Sequence, residues 1–245
     1  MAVTRWSAWL LALGLFVGTI LSIGISNNVF ASPPTLPDTA NLPTRLLGSV
    51  DFDHAIWPFD LVSSLSFAIA FGALLVLAWS LAAGIPQGDR RRSILIAGLA
   101  GAGVLGLASQ LIHIGAQQVA INVGYCDCGF KEQESISKAW GLMLIGGAQS
   151  WLVNGAVVLL AIGMEAVATL VARSSMARDW RMMTHVTVAV IVVAVVVSAA
   201  GVSDTASQFL TGVAGGILIP IWAIWLIRIL RASESIPAES RTVAV

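Results

Sequence analysis

The chain has 245 residues, of which 57% are hydrophobic and 11% are charged, and its formal net charge at pH 7 is zero. Because soluble domains carry about 25% charged residues, this composition excludes a surface that faces water and indicates a protein covered mostly by lipid. The balanced charge also argues against a nucleic-acid partner. We therefore expect an integral membrane protein whose main partner is the lipid bilayer.

Six segments are long and apolar enough to cross a membrane as helices, since about 20 residues rising about 1.5 Å each span a hydrocarbon core of about 30 Å. They cover residues 6–26, 59–84, 93–115, 139–172, 184–203 and 208–230. The pattern predicts an all-α fold, a polytopic integral membrane protein with a bundle of six transmembrane helices at 1–231, followed by a short polar tail at 232–245.

The first segment has an alternative interpretation as a signal peptide. Val29, Phe30 and Ala31 resemble a small-residue cleavage site that follows an apolar stretch. That stretch is longer than the roughly 7–15 apolar residues in the core of a signal peptide. We favour a retained anchor helix, and cleavage of residues 1–31 would leave five spans.

Basic residues are sorted strongly between the two sides of this map. Ten of the 13 lie on one side, whereas Arg45, Lys131 and Lys138 lie on the other. By the positive-inside rule the arginine-rich side is cytoplasmic, which places both termini and the polar tail inside and the two longest loops, 27–58 and 116–138, outside. Arginine outnumbers lysine, and Ala, Val and Gly are abundant, which favours a bacterial inner (cell) membrane.

Small residues recur at four-residue spacing in two of the spans. These candidate packing residues are Gly98, Ala102 and Gly106 in the third span and Gly212 and Gly216 in the sixth. Such stripes let membrane helices approach closely, and Pro220 is expected to kink the sixth helix. We interpret the stripes as packing within one bundle. The alternative is an interface with a second copy of the chain or with another membrane subunit.

Polar residues within the spans concentrate in their outer halves. The candidate pocket residues are Gln110, His113, Gln117, Ser150 and Asn154. The first three are spaced i, i+3 and i+7 and share one helix face, which continues the small-residue stripe of the third span. Because unpaired polar groups are costly in hydrocarbon, we predict a polar pocket that opens to the outer face. The alternative is that these side chains only hydrogen-bond neighbouring helices.

The outer side also collects side chains that can bind metals. They are Asp51, Asp53, His54, His113, Cys126 and Cys128. In an oxidising compartment cysteines usually form disulfides, so we favour a structural or intermolecular disulfide. The alternative is a Cys/His site for copper or zinc, or a redox site. The pattern does not specify which cofactor, if any, the chain binds.

Glu165 is the acid that falls deepest inside a predicted span. Counted from Trp140 at about 1.5 Å per residue, it lies about 37 Å along the helix, near the inner interface. We expect it to meet lipid headgroups or an arginine such as Arg173 or Arg228.

Motifs for catalysis are missing from the sequence, since it contains no P-loop, H-E-x-x-H or G-x-S-x-G pattern. We therefore expect a non-catalytic complex subunit or a small sensor or regulator, with a polar pocket open to the outer face. One alternative is a transporter or binder of a small molecule. The other is a membrane oxidoreductase that uses the external Cys/His site.

Overall fold

The computed structural model describes residues 2–33, 35, 37, 42–124, 132–170, 175–201 and 204–234. Within these residues every regular element is a helix, which confirms the all-α prediction. The elements are α1 (Ala2–Ser26), α2 (Leu42–Ala82), α3 (Arg90–Gly124), α4 (Glu132–Leu170), α5 (Ser175–Ala200), α6 (Asp204–Val213), a π-helical turn (Ala214–Leu218) and α7 (Ile219–Glu234).

The described part of the chain contains six stretches that are long and apolar enough to cross a membrane, and they match the six predicted spans in order. They are Ala2–Ser26, Phe52–Ala82, Arg90–Val119, Leu144–Leu170, Ala177–Ala200 and Thr205–Ala232. The protein is therefore a multi-pass membrane protein with a six-helix bundle.

Several helices extend further than hydropathy predicted, including α4, which begins at Glu132, and α5, which begins at Ser175. The loop expected at 27–58 is shorter because α2 already begins at Leu42, and α3 continues to Gly124 inside the segment expected as a second loop. Pro43 lies in the first turn of α2, where its missing N–H is not needed for a helical hydrogen bond. These extensions contain polar residues, because a helix that leaves the bilayer no longer needs apolar side chains. Hydropathy therefore does not identify them as helical.

Consecutive helices pack side by side, and α7 and the π-helical turn close the bundle against α1. The contacts between neighbours run antiparallel. On α1 and α2, for example, Gly14 lies against Ser66 and Ala70, whereas Gly18 lies against Phe67. Ser63 adds an interhelical hydrogen bond, since its hydroxyl donates to the Gly18 carbonyl oxygen at 2.9 Å. The antiparallel order brings the arginines of α3, α5 and α7 to one end, which we call the basic end.

Glycines in α3 bring its backbone against both neighbouring helices. A Cβ atom at Gly98 would lie 2.5 Å from the backbone nitrogen of Gly163 on α4, and one at Gly106 would clash with a ring carbon of Phe71 on α2. Ala102, between these two glycines, is fully buried. Close backbone approach of this kind favours helix association in a bilayer, where burial of apolar surface contributes little.

The sixth span is interrupted by the π-helical turn. The N–H of Ile219 bonds the carbonyl oxygen of Ala214, five residues back, directly before Pro220. Proline has no N–H to donate to Gly216 and disturbs the preceding turn, which accounts for the local widening. A Cβ atom at Gly216 would lie 2.8 Å from the Thr19 methyl group, so this face packs against α1.

Two buried tryptophans join α5 to α7. The indole N–H of Trp180 donates to the backbone oxygen of Trp222 at 3.2 Å, and the indole N–H of Trp222 donates to the Thr184 hydroxyl at 3.0 Å. The Thr184 hydroxyl in turn donates to the Trp180 carbonyl oxygen at 2.9 Å. Both rings are fully buried and stack with their centroids 5.5 Å apart, so this contact both fills the core and satisfies its polar atoms.

Candidate functional site

A histidine on α3 connects three helices near the end of the bundle opposite the basic end. His113 Nε2 lies 2.9 Å from Oδ2 of Asp60 on α2, and His113 Nδ1 lies 3.3 Å from Oε1 of Gln149 on α4. The side chains of His113 and Asp60 are 24% and 15% exposed, so both are largely withdrawn from the surface. We call these three residues the His113 cluster.

One turn along α3, Ser109 reinforces the same contact between helices. It is fully buried, and its hydroxyl lies 3.5 Å from the backbone oxygen of Gln149. Ser109 and His113 are four residues apart, so they share a helix face. That face continues from Gly106, where the backbones of α2 and α3 come close together around Phe71. Close backbone packing therefore brings the short side chains of Asp60 and Gln149 within reach of the imidazole ring.

The proton content of His113 determines which hydrogen bonds the cluster can form. Both ring nitrogens face oxygen atoms, and a doubly protonated imidazolium donates to both of them. A neutral ring keeps one N–H, which can donate to Asp60, and its other nitrogen becomes an acceptor. Gln149 must then turn its amide so that the NH₂ group faces the ring. Gain or loss of one proton therefore changes the link between α3 and α4.

A second acid on α2 lies close to the cluster. Asp53 is seven residues before Asp60, which places both on one face of the helix, and it interacts electrostatically with Asp60 and with His113. Among the residues that the structure describes, the titratable groups that interact with the imidazole are two acids on α2, while α4 contributes the uncharged Gln149. A cation at His113 is therefore complementary to its surroundings.

The other predicted pocket residues are only partly gathered around this cluster. Gln110 is 7% exposed on the turn below His113. Gln117 is half-buried, and its amide oxygen is buried without a hydrogen-bond partner among the residues that the structure describes. Asn154 is half-buried on α4, whereas Ser150 is exposed and donates its hydroxyl to the Gly146 carbonyl oxygen of its own helix.

The residues of the predicted metal or disulfide site are not shown together. Cys126 and Cys128 lie outside the described residues, and the side chain of Asp51 is likewise not described. His54 is exposed on α2. Among the residues that the structure describes, no group of three His, Cys, Asp or Glu side chains is placed to hold a metal ion. The cysteine-dependent interpretations remain predictions.

Asp60 and Gln149 were not among the predicted site residues, although both were visible in the sequence as polar residues near the outer ends of their spans. What connects Asp60, His113 and Gln149 is that all three lie at a similar depth in the membrane. In an antiparallel bundle, a residue early in the second span lies level with one late in the third, and both lie level with one early in the fourth. Matching polar residues by depth rather than by spacing within one helix would have found the cluster.

A second histidine–carboxylate pair lies nearer the basic end. His185 Nδ1 on α5 is 2.8 Å from Glu165 Oε1 on α4, with side chains 62% and 37% exposed. Among the described residues the partner of Glu165 is thus a histidine, and the expected contact with a lipid headgroup or with Arg173, which lies outside those residues, stays a prediction. Glu165 and His185 both lie on the protein surface and differ in this respect from the more enclosed His113 cluster.

No protein-family model matches the chain, and it matches no curated protein and no solved structure. The molecular features that bear on its function are therefore those of the chain itself. They are a six-helix membrane bundle, a half-buried polar cluster that joins three helices, and a row of arginines at the opposite end.

Proposed function

We propose that this protein is a sensor or regulatory subunit of a bacterial inner membrane, and that the His113 cluster makes it responsive to protons on the outer face. The observation that carries the proposal is the bridge from His113 to Asp60 and Gln149, because one titratable ring holds contacts to two other helices. Histidine is the side chain whose charge ordinarily changes between about pH 5 and 8.

The proposed response is a change in how α2, α3 and α4 pack at their outer ends. Protonated His113 donates to both Asp60 and Gln149, and the charge on Asp60 opposes its own. Loss of the proton removes the charge attraction and one of the two donors. The outer ends of these helices are then held less firmly, and a partner membrane subunit that contacts them can detect the difference.

The proposed orientation follows from the arginines. Arg90, Arg91 and Arg92 begin α3 at the basic end, and Arg178 and Arg231 belong to the same end. The positive-inside rule places this end in the cytoplasm. The His113 cluster is then near the outer face, where it can exchange protons with the external solution, and both termini are cytoplasmic.

Hydrogen exchange in reconstituted vesicles tests this function. Amide exchange in the outer parts of α2, α3 and α4 would be followed by mass spectrometry at about pH 5.5 and about pH 7.5, corrected for the intrinsic effect of pH on exchange. We expect the wild-type protein to lose protection there at the higher pH, since the cluster then holds the helices less firmly.

Two variants make the result specific. His113→Gln has no titratable ring, so its protection should be the same at both pH values. His185→Gln removes the other histidine–carboxylate contact and should keep the wild-type response. The proposal is wrong if wild-type protection does not change with pH or if His113→Gln responds as the wild type does.

A further inference from the structure

A groove runs along the lipid-facing surface between α3, α4 and α5, near the basic end. Its volume is about 490 Å³, within the range of about 300–1,000 Å³ that is typical of ligand pockets. Its walls include Arg91 and Ile94 of α3, Val158, Glu165 and Thr169 of α4, and Val192 of α5. The surface of the groove is almost entirely apolar, although three of its lining residues, Arg91, Glu165 and Thr169, are polar.

Polarity changes along the length of the groove. Arg91, Glu165 and Thr169 belong to the half nearer the basic end, whereas Val158 and Val192 line the half that reaches toward the middle of the membrane. The twelve residues from Val158 to Thr169 rise by about 16 Å along the helix. This length is close to the depth of one leaflet of hydrocarbon, about 15 Å. A ligand that fits must be apolar along its length, and a polar head at the basic end would lie beside Arg91, Glu165 and Thr169.

The groove is open to the bilayer rather than closed inside the bundle. Val158, Ile162 and Val192 are 41%, 45% and 50% exposed. Of the six spans, α5 buries the smallest share of its apolar stretch. A lipid can therefore enter sideways from the surrounding membrane without any opening of the helices.

Charge at the polar end of the groove favours an anion. Arg91 is exposed, and its guanidinium group forms no ion pair or hydrogen bond with the described residues. Arg90 and Arg92 flank it in the sequence. The acid in the groove, Glu165, already has His185 as a partner at 2.8 Å. Arg91 is the cation among the lining residues, and its planar guanidinium suits the oxygens of a phosphate group.

We propose that this groove binds one anionic phospholipid from the leaflet at the basic end. Arg91 contacts the phosphate, and one acyl chain lies between α4 and α5 along Val158 and Val192. The lipid would hold α5 against α4 on the side where the helices leave a groove. This site is separate from the His113 cluster, which lies toward the opposite end of the same helices.

Native mass spectrometry of protein released from nanodiscs tests this site. The nanodiscs would contain equal amounts of phosphatidylglycerol and phosphatidylcholine, two lipids that share a phosphate but differ in net charge. We expect one phosphatidylglycerol to be retained preferentially by the wild type. Arg91→Gln should lower its retention about fivefold, since a basic residue near a membrane surface contributes about 1 kcal/mol to the binding of an anionic lipid.

Two further comparisons between variants distinguish a specific lipid-binding site from general contact of the protein with lipid. Val158→Trp fills the groove and should lower phosphatidylglycerol retention, whereas Val196→Trp, at an exposed position outside the groove lining, should not. Arg178→Gln is the matched control for charge, since Arg178 is 80% exposed at the same end, beside Asp179. Equal retention of the two lipids by the wild type would overturn the proposal. So would the same loss in Arg178→Gln as in Arg91→Gln. If Val158→Trp does not fold, the comparison of phosphatidylglycerol retention between Arg91→Gln and Arg178→Gln still tests the proposal.

Discussion

His113 and Asp60 are 53 positions apart in the chain and 2.9 Å apart in the bundle. With Gln149 on the other side of the ring, they link α2, α3 and α4 through one side chain. Such a link does not rest on the polarity of any single helix. It depends on the close backbone packing around Gly98 and Gly106, which sets the spacing of the three helices.

The energetic coupling of His113 and Asp60 can be measured with a double-mutant cycle. Each of His113→Gln and Asp60→Asn leaves its partner without the charge-assisted contact, so the double variant should be less destabilised than the sum of the single variants. We expect a coupling of about 0.5–2 kcal/mol in the free energy of unfolding. Ser66→Ala is a suitable control, because within the described part of the chain the Ser66 hydroxyl bonds only the Val62 carbonyl oxygen of its own helix. Additive single effects would show that the contact does not link the helices.

The approach of α3 to α4 at Gly98 leaves no room for a side chain. An added Cβ would meet backbone atoms of Gly163 at 2.5 Å and 2.6 Å, and backbone cannot move aside as a flexible side chain can. We expect Gly98→Ala to lower the free energy of unfolding by about 1–3 kcal/mol. Gly115→Ala on the same helix meets nothing within 4 Å and should be neutral or slightly stabilising. Equal melting temperatures for the two variants would contradict the packing described for Gly98.

Thr184 accepts the only hydrogen bond that the structure gives to the buried indole N–H of Trp222. Thr184→Val keeps the shape and removes the acceptor, so we expect a loss of about 1–3 kcal/mol in the free energy of unfolding. Thr187→Val provides the comparison, since that hydroxyl is also buried but, among the described residues, bonds only the Met183 carbonyl oxygen of its own helix. The Thr187 variant should be clearly more stable than the Thr184 variant in thermal unfolding. The reverse order would contradict the role given to Thr184.

The orientation proposed for the bundle predicts which ends are accessible from outside the cell. In a chain that carries Cys126→Ser and Cys128→Ser, the additional variant Ser32→Cys should react with a membrane-impermeant maleimide that is added to intact cells. A new cysteine at Gln87, in the exposed turn between α2 and α3, should react only after the cells are opened. If the Gln87 position is labelled in intact cells and the Ser32 position is not, the orientation is reversed.

Hydropathy was enough to predict the six spans, because every membrane-crossing helix must present about 20 apolar residues to lipid. It did not predict that α2 begins at Leu42 or that α3 continues to Gly124. Those turns lie beyond the stretch that must be apolar. Helix formation there depends on local backbone preferences and on neighbouring helices, neither of which a hydropathy profile records.

The candidate site was predicted only in part. The spacing of Gln110, His113 and Gln117 predicted a polar face on one helix, but the partners of His113 depend on how α2 and α4 are rotated about their axes. Gln149 and Ser150 are adjacent in sequence, yet Gln149 contacts His113 and Ser150 is exposed. One residue turns a helix by about 100°, so rotation decides which of the two joins the cluster.

Nuclear magnetic resonance of the protein in nanodiscs, with labelled histidine and glutamine side chains, tests the proposed proton response most directly. Spectra would be recorded between about pH 5 and 8, and His113→Gln would assign the His113 signals. The account predicts two ring N–H groups on His113 at the acidic end of this range, one at the alkaline end, and a change in the Gln149 amide signals over the same interval. A His113 ring that keeps one protonation state throughout, or Gln149 signals that stay constant while His113 titrates, would contradict it.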